Sequence, residues 1–157
     1  MKHLYDNRTG KLGVPKTEFE FNRKGDLLEF NFVAYDSSLE SYSDEKNSDL
    51  WKGNVVEVFL DCGDRKFYYE FEVAPNGATF VAEKHKNKLV FIDDKFFSSE
   101  TRIEGNNYHV KMVVDLKLLR KKGVIAYNAF RIEGEVLEAL HPTLCETFHV
   151  REKFLKF

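Results

Sequence analysis

Trp51, the only tryptophan in the chain, precedes Glu57 by six positions, and Glu57 is the one charged side chain inside the apolar run VVEVFL (55–60). Two more carboxylates, Glu70 and Glu72, alternate with aromatic residues in KFYYEFEVA (66–74). Burying a tryptophan is worth a few kcal/mol, so one left in the polar corner LWKGN (50–54) asks for another use. An exposed aromatic ring can stack on the apolar C–H face of a pyranose. Carboxylate, guanidinium and amide groups beside it can hydrogen-bond the hydroxyls. The chemistry these residue types suit is saccharide recognition.

The turn signal CGDR (62–65) makes the two segments a hairpin. Pairing Asp61 with Lys66 sets Phe59 opposite Tyr68, Glu57 opposite Glu70 and Val55 opposite Glu72. Side chains alternate between faces. One face then carries Val56, Val58, Leu60, Phe67, Tyr69, Phe71 and Val73, a core face. The other carries Val55, Glu57, Phe59, Tyr68, Glu70 and Glu72, with Trp51 at its rim. Like charges directly opposite repel, so Glu57 and Glu70 need a cation or a ligand. In IAYNAFRIEG (125–134), Phe130 and Ile132 are expected in the core with Val56, and Arg131 on the carboxylate face. The candidate site is Trp51, Glu57, Tyr68, Glu70 and Arg131. A structural ion network over a solvated face is the alternative use of the same groups.

These residues need a sheet to position them, and alternation runs through the whole chain. TEFEFN (17–22), LLEFNFVAYD (27–36), ATFVAEK (78–84), KLVFID (88–93), SETRIEG (99–105), YHVKMVVD (108–115) and FHVREKFLKF (148–157) join the segments above. Gly, Asn and Asp turns separate them, giving roughly ten strands at the 8–12-residue spacing of an antiparallel sandwich or barrel. Only DLKLLRKKG (115–123) has helical spacing. The expected fold is all-β, a jelly-roll-like antiparallel sandwich of two sheets, with one short helix near 115–122. A parallel α/β fold would need a helix between most strands.

The chain has 157 residues, enough for one domain with a real core, taken as 1–157. Fifteen Phe and seven Tyr against two Met favour strands. A formal charge of −2 gives no reason to expect nucleic acid or an anionic membrane as partner. The N-terminus lacks the apolar stretch of a secretory leader, so the chain as written reads as cytoplasmic, or as secreted where a leader has been removed. Cys62 and Cys145 are too few for a metal cluster, and their pairing is open. His109, His141 and His149 lack ligand spacing. Met112 alternates with Val110 and Val114 as a core residue, not as a haem ligand. No cofactor is expected.

Taken in order, LWKGNVVEVFLD, YYEFEVAPNG (68–77), YHVKMVVDL, FRIEG, HPT (141–143) and FHVREKF (148–154) resemble the family-9-type carbohydrate-binding modules, in particular free-standing bacterial members, from about residue 26 to the end. The resemblance implies a β-sandwich that binds sugars, often at a chain end, without catalysis. In such modules two tryptophans clamp the sugar and a glutamate after the first bonds its hydroxyls; Trp51 and Glu57 match that pair. The chain departs from the pattern at Leu140, where relatives often carry the second tryptophan, and at Glu70, where they carry an arginine. Structural calcium is implied by the resemblance only. A site decayed into a protein-interaction surface is one alternative. A weak retaining glycosidase using Glu57 and Glu70 is another, because cross-strand Cβ atoms ~5 Å apart approach the ~5–5.5 Å carboxyl spacing of such enzymes. EVFLD does not supply the E-x-D-x-x-E strand of laminarinase-type hydrolases.

Overall fold

The structure, a computed structural model, describes residues 1–12, 16–119, 123 and 125–157. Thirteen strands are present among them: β1 (Lys2–His3), β2 (Tyr5–Asp6), β3 (Thr17–Lys24), β4 (Leu27–Ala34), β5 (Val55–Asp61), β6 (Phe67–Val73), β7 (Thr79–His85), β8 (Leu89–Phe91), β9 (Phe97–Glu104), β10 (Asn107–Asp115), β11 (Ala126–Glu133), β12 (Val136–Ala139) and β13 (Leu155–Lys156). They form two antiparallel sheets. The five-stranded sheet runs β1-β3-β4-β10-β9; the eight-stranded one runs β2-β12-β11-β5-β6-β7-β8, with β13 also paired to β11. The expected all-β sandwich is what the chain forms.

The main core lies between the sheets and follows from period-2 patterning. Leu28, Phe30 and Phe32 of β4 and Tyr108, Val110, Met112 and Val114 of β10 face Val56, Val58 and Leu60 of β5 and Tyr69, Phe71 and Val73 of β6. Cys62 packs in this core and Cys145 lies at the surface, so no disulfide joins them. Among the described residues no helix is long and apolar enough to cross a membrane.

Two expectations change, and two short strands are added. Leu116–Leu119 form a turn closed by Leu119 N–H donating to Asp115 C=O at 3.1 Å, not the start of a regular helix; the rest of the expected helix, 120–122, lies outside the described residues. The C-terminal segment expected as one strand breaks into a 3-10 turn, Arg151–Lys153, before β13. β1 and β2 have no alternation to read, yet they place the N-terminus in both sheets around the fully buried Leu4.

Candidate functional site

The outer face of the eight-stranded sheet is not an open polar surface. Along its centre β5 is buried on both sides. At one end Phe148 and Phe154 from the C-terminal segment cover Phe59, Tyr68 and Phe130, with Phe148 stacked 4.3 Å from Phe130. At the other end Leu50 packs with Val55, Ala74 and Phe80. Between the two covers lies a cleft of about 390 Å³. Trp51, Leu89 and the segment 146–149 border it, and Glu57 and Glu70 belong to its floor.

Local sequence explains how each wall is held. In LWKGN, Leu50 is fully buried and anchors the 3-10 turn Leu50–Lys52, which leaves its neighbour Trp51 outside at 49% exposure. Gly53 lets the chain pass the 37–50 loop closely: a Cβ there would sit 2.5 Å from the Tyr42 nitrogen. Asn54 then ties back to that loop, its N–H donating to Glu40 C=O at 2.9 Å and its side-chain amide to Ser38 Oγ at 2.7 Å. The opposite wall is pinned by two buried asparagines. Asn128 of β11 donates to His141 C=O (2.8 Å) and accepts from His141 N–H (3.0 Å). Asn7 donates to Thr143 Oγ1 (2.7 Å) and accepts from Thr143 N–H (2.9 Å). The H-P-T sequence thus serves as the anchored base of a wall.

The floor holds three carboxyls. The register pairs Glu57 with Glu72 and Phe59 with Glu70, two residues away from the expected pairing. The loop is wider than CGDR alone, because Arg151 grips it: its guanidinium donates to both oxygens of Asp61 (2.7 and 2.9 Å) and to the carbonyls of Asp64 and Arg65. A slip of two residues preserves the faces, so the carboxylates stay together. Oxygens of Glu57, Glu70 and Glu72 lie within 4.8 Å of one another. Burial raises all three pKa values. Glu57 is held well above the usual carboxylate range by burial and then by Glu70; burial pushes Glu70 up to about 7, opposed by Glu72 and Lys84; and Glu72, fully buried between Glu57 and Glu70, stays protonated. A hydrogen bond between the Glu72 and Glu70 carboxyls holds the Glu72 proton and opposes the rise at Glu70, while Glu70 Oε2 is buried without a partner.

Arg131 is not the cation expected here. β11 does join β5, but Phe130 lies opposite Glu57 and Arg131 opposite Val56. Phe130 and Ile132 belong to the outer face, where Phe148 covers Phe130, and not to the core with Val56. Arg131 points between the sheets, fully buried, and donates to Thr17 Oγ1 (3.0 Å), Tyr35 C=O (2.8 Å) and Glu133 (3.2 Å), with Glu138 3.9 Å away. Tyr68 is on the outer face but does not line the cleft. Its hydroxyl hydrogen-bonds His149 Nδ1 at 2.5 Å, and His149 in turn stacks on Phe59 at 4.8 Å. Leu140, at the position of the second tryptophan in the resemblance, is buried in the main core. Sequence reasoning missed Lys84, Leu89 and Phe148. Lys84 had a readable signal, since it shares the outer face of ATFVAEK with Phe80 and Ala82.

No family model matches the chain. A curated relative, an extracellular protein of Arthroderma benhamiae, is 35% identical over 72 residues, 43% of this chain; the match spans about a third of that protein's length (32%). Among solved structures, a Bacteroides uniformis protein with a provisional carbohydrate-binding assignment superposes with a TM-score of 0.79 at 14% identity, covering 98% of this chain and 83% of the other. A family 9 carbohydrate-binding module from Caldicellulosiruptor kristjanssonii gives a TM-score of 0.64 in two complexes. The one with glucose is 14% identical and covers 97% of this chain and 78% of the module; the one with cellotriose is 15% identical and covers 89% and 72%. The chain has the fold of the family 9 carbohydrate-binding modules.

Proposed function

We propose that the protein binds a saccharide without catalysis, in the cleft between Trp51 and the 146–149 wall. Trp51 stacks on the ring face, and Glu57 and Glu70 hydrogen-bond the hydroxyls from the floor. The observation that carries this reading is the half-exposed indole at the rim of a cleft floored by the buried Glu57 and Glu70, with Glu70 Oε2 left without a hydrogen-bond partner. Buried polar groups left unsatisfied are costly, and ligand hydroxyls would satisfy them. The shared fold with modules solved with glucose and cellotriose supports the same class of ligand. Tyr68 acts at one remove, by fixing His149 in the wall. Arg131 has no contact with the ligand in this reading.

Stacking is one-sided, because Leu140 is buried and the rings of the facing wall, Phe148 and His149, are already stacked on Phe130 and Phe59. Dissociation constants of ~10⁻⁵–10⁻³ M follow, about 4–7 kcal/mol. Glu57 and Glu70 sit side by side on one floor, whereas glycoside hydrolysis needs carboxyls flanking the scissile bond. Calorimetry against a glycan panel tests the proposal. Binding of at least one oligosaccharide, intact after incubation and lost in Trp51→Ala, is expected. Turnover that disappears in Glu57→Gln while binding survives would make the protein a hydrolase instead.

A further inference from the structure

Resting on the saccharide reading, we propose that the cleft selects a sugar bearing a free, protonated amine, a glucosamine-type residue, over the hydroxyl counterpart, with the ammonium seated against Glu57 and Glu70.

The charge arrangement favours this class. Glu57 and Glu70 are on the floor and Glu72 is directly behind them, while Glu146 at the rim is already paired with Arg8 at 2.7 Å. Lys84 is the one permanent cation among the described lining residues, and no ion pair between described residues reaches Glu57, Glu70 or Glu72. Arg131, which would have balanced them, is on the other face of the sheet. Glu70 is nine-tenths buried, lines the cleft, and has Oε2 without a partner. A sugar hydroxyl offers one donor. An ammonium offers three, together with the charge that two carboxylates lack.

The rest of the lining argues for an organic cation over a metal. Calcium takes six to eight oxygen ligands. Here the two floor carboxyls face Phe80, Leu89, Ile132 and Leu137, an apolar wall suited to the carbon face of a sugar ring. Trp51 supplies a second such surface.

Without a ligand the carboxyls manage their proximity by holding protons, as their raised pKa values indicate. Seating an ammonium favours the ionised carboxylate and expels a proton. The other groups facing the floor do not mask that event. Tyr68 is a neutral phenol, its pKa raised by burial; His149 is held neutral, its pKa lowered to about 4 by burial and then by Lys84; Glu146 has its pKa lowered by the hydrogen bond from Arg8; and Asp49 reaches the triad through Glu72.

The test compares two disaccharides that differ only at C2: the β-1,4-linked glucosamine dimer and cellobiose. The N-acetylated dimer is the uncharged control. Titration calorimetry at mildly acidic pH, where the sugar amine is already protonated and Glu70 still carries its proton, in two buffers of different ionisation enthalpy, should show the amine binding about tenfold or more tighter than cellobiose, with proton release to the buffer. Acetylation should erase the advantage, and Glu70→Gln should bring the two sugars near parity. Cellobiose binding as tightly as the amine overturns the inference and leaves the saccharide reading standing. Failure of all three sugars to bind removes both. Amine binding that Trp51→Ala leaves unchanged places the attraction outside this cleft and overturns the inference alone.

Discussion

Leu50 and Trp51 are neighbours with opposite fates: the smaller side chain is fully buried and the larger one stands half exposed. The two should respond oppositely to truncation. Leu50→Ala is expected to cost about 2–5 kcal/mol in a denaturation series. Trp51→Ala should leave the melting temperature nearly unchanged while removing saccharide binding. Equal destabilisation by both would mean the indole is a packing residue. Arg131 gives the converse case. It is a buried cation held among Thr17, Glu133 and Glu138, so Arg131→Met should cost about 3–5 kcal/mol by stranding their oxygens. NMR titration of Glu57 and Glu70 should be unmoved by it. A shift at either carboxyl would place Arg131 back on the cleft face. Trp51 and Glu57 were legible as site candidates because residue type and context disagreed in the sequence. Arg131 was misread because alternation within β11 assigns sides only once it is known which face of its partner strand is buried, and both faces of β5 are.

At the scale of elements, the hairpin β5–β6 was read on the correct faces with the wrong partners. Period-2 alternation fixes sidedness, but register depends on the loop, and here a distant residue, Arg151, sets the loop width. Phe71 tests the sidedness. Its ring is fully buried between the sheets, stacked 5.0 Å from Phe97, and Phe71→Ala should cost about 3–5 kcal/mol by chemical denaturation. A loss below about 1 kcal/mol would put that ring on the wrong face. The walls of the cleft were largely illegible. The 141–149 segment has no alternation, and its position depends on Asn128 and on the sequence-distant Asn7, whose amides carry no periodic signal.

For the whole molecule, the fold was legible because some ten alternating segments with turns between them leave few architectures open. What the pattern did not show is that the eight-stranded sheet is covered on its outer side as well, which turns a polar face into a buried carboxyl floor. That burial has a global consequence for pH dependence. Glu70 and Glu138 are both raised to about 7 by burial, so the folded chain binds protons that the unfolded chain has released. The stability this confers is complete below the ordinary carboxylate range and is lost as pH rises through about 7. His149, lowered to about 4, acts in the opposite sense between 4 and its ordinary 6.5, where falling pH destabilises. Above 6.5 the carboxyls act without it, and Tyr69 and Tyr127, raised to about 12 by burial, act in the same sense at alkaline pH. The melting temperature should fall from mildly acidic to alkaline pH, with a shallower slope in Glu70→Gln; a rise over that range would contradict the buried-carboxyl floor.

The central claim is that a saccharide occupies the cleft beside Trp51, and the indole N–H of the single tryptophan reports on it directly. A heteronuclear NMR titration with cellotriose and with glucosamine oligomers should shift that resonance together with amides of Glu57, Glu70, Lys84 and His149. The outer face of the five-stranded sheet, around Glu29 and Lys111, should stay still. Saturating shifts on that second face with a silent Trp51, or no shifts with any saccharide tried, would contradict the claim.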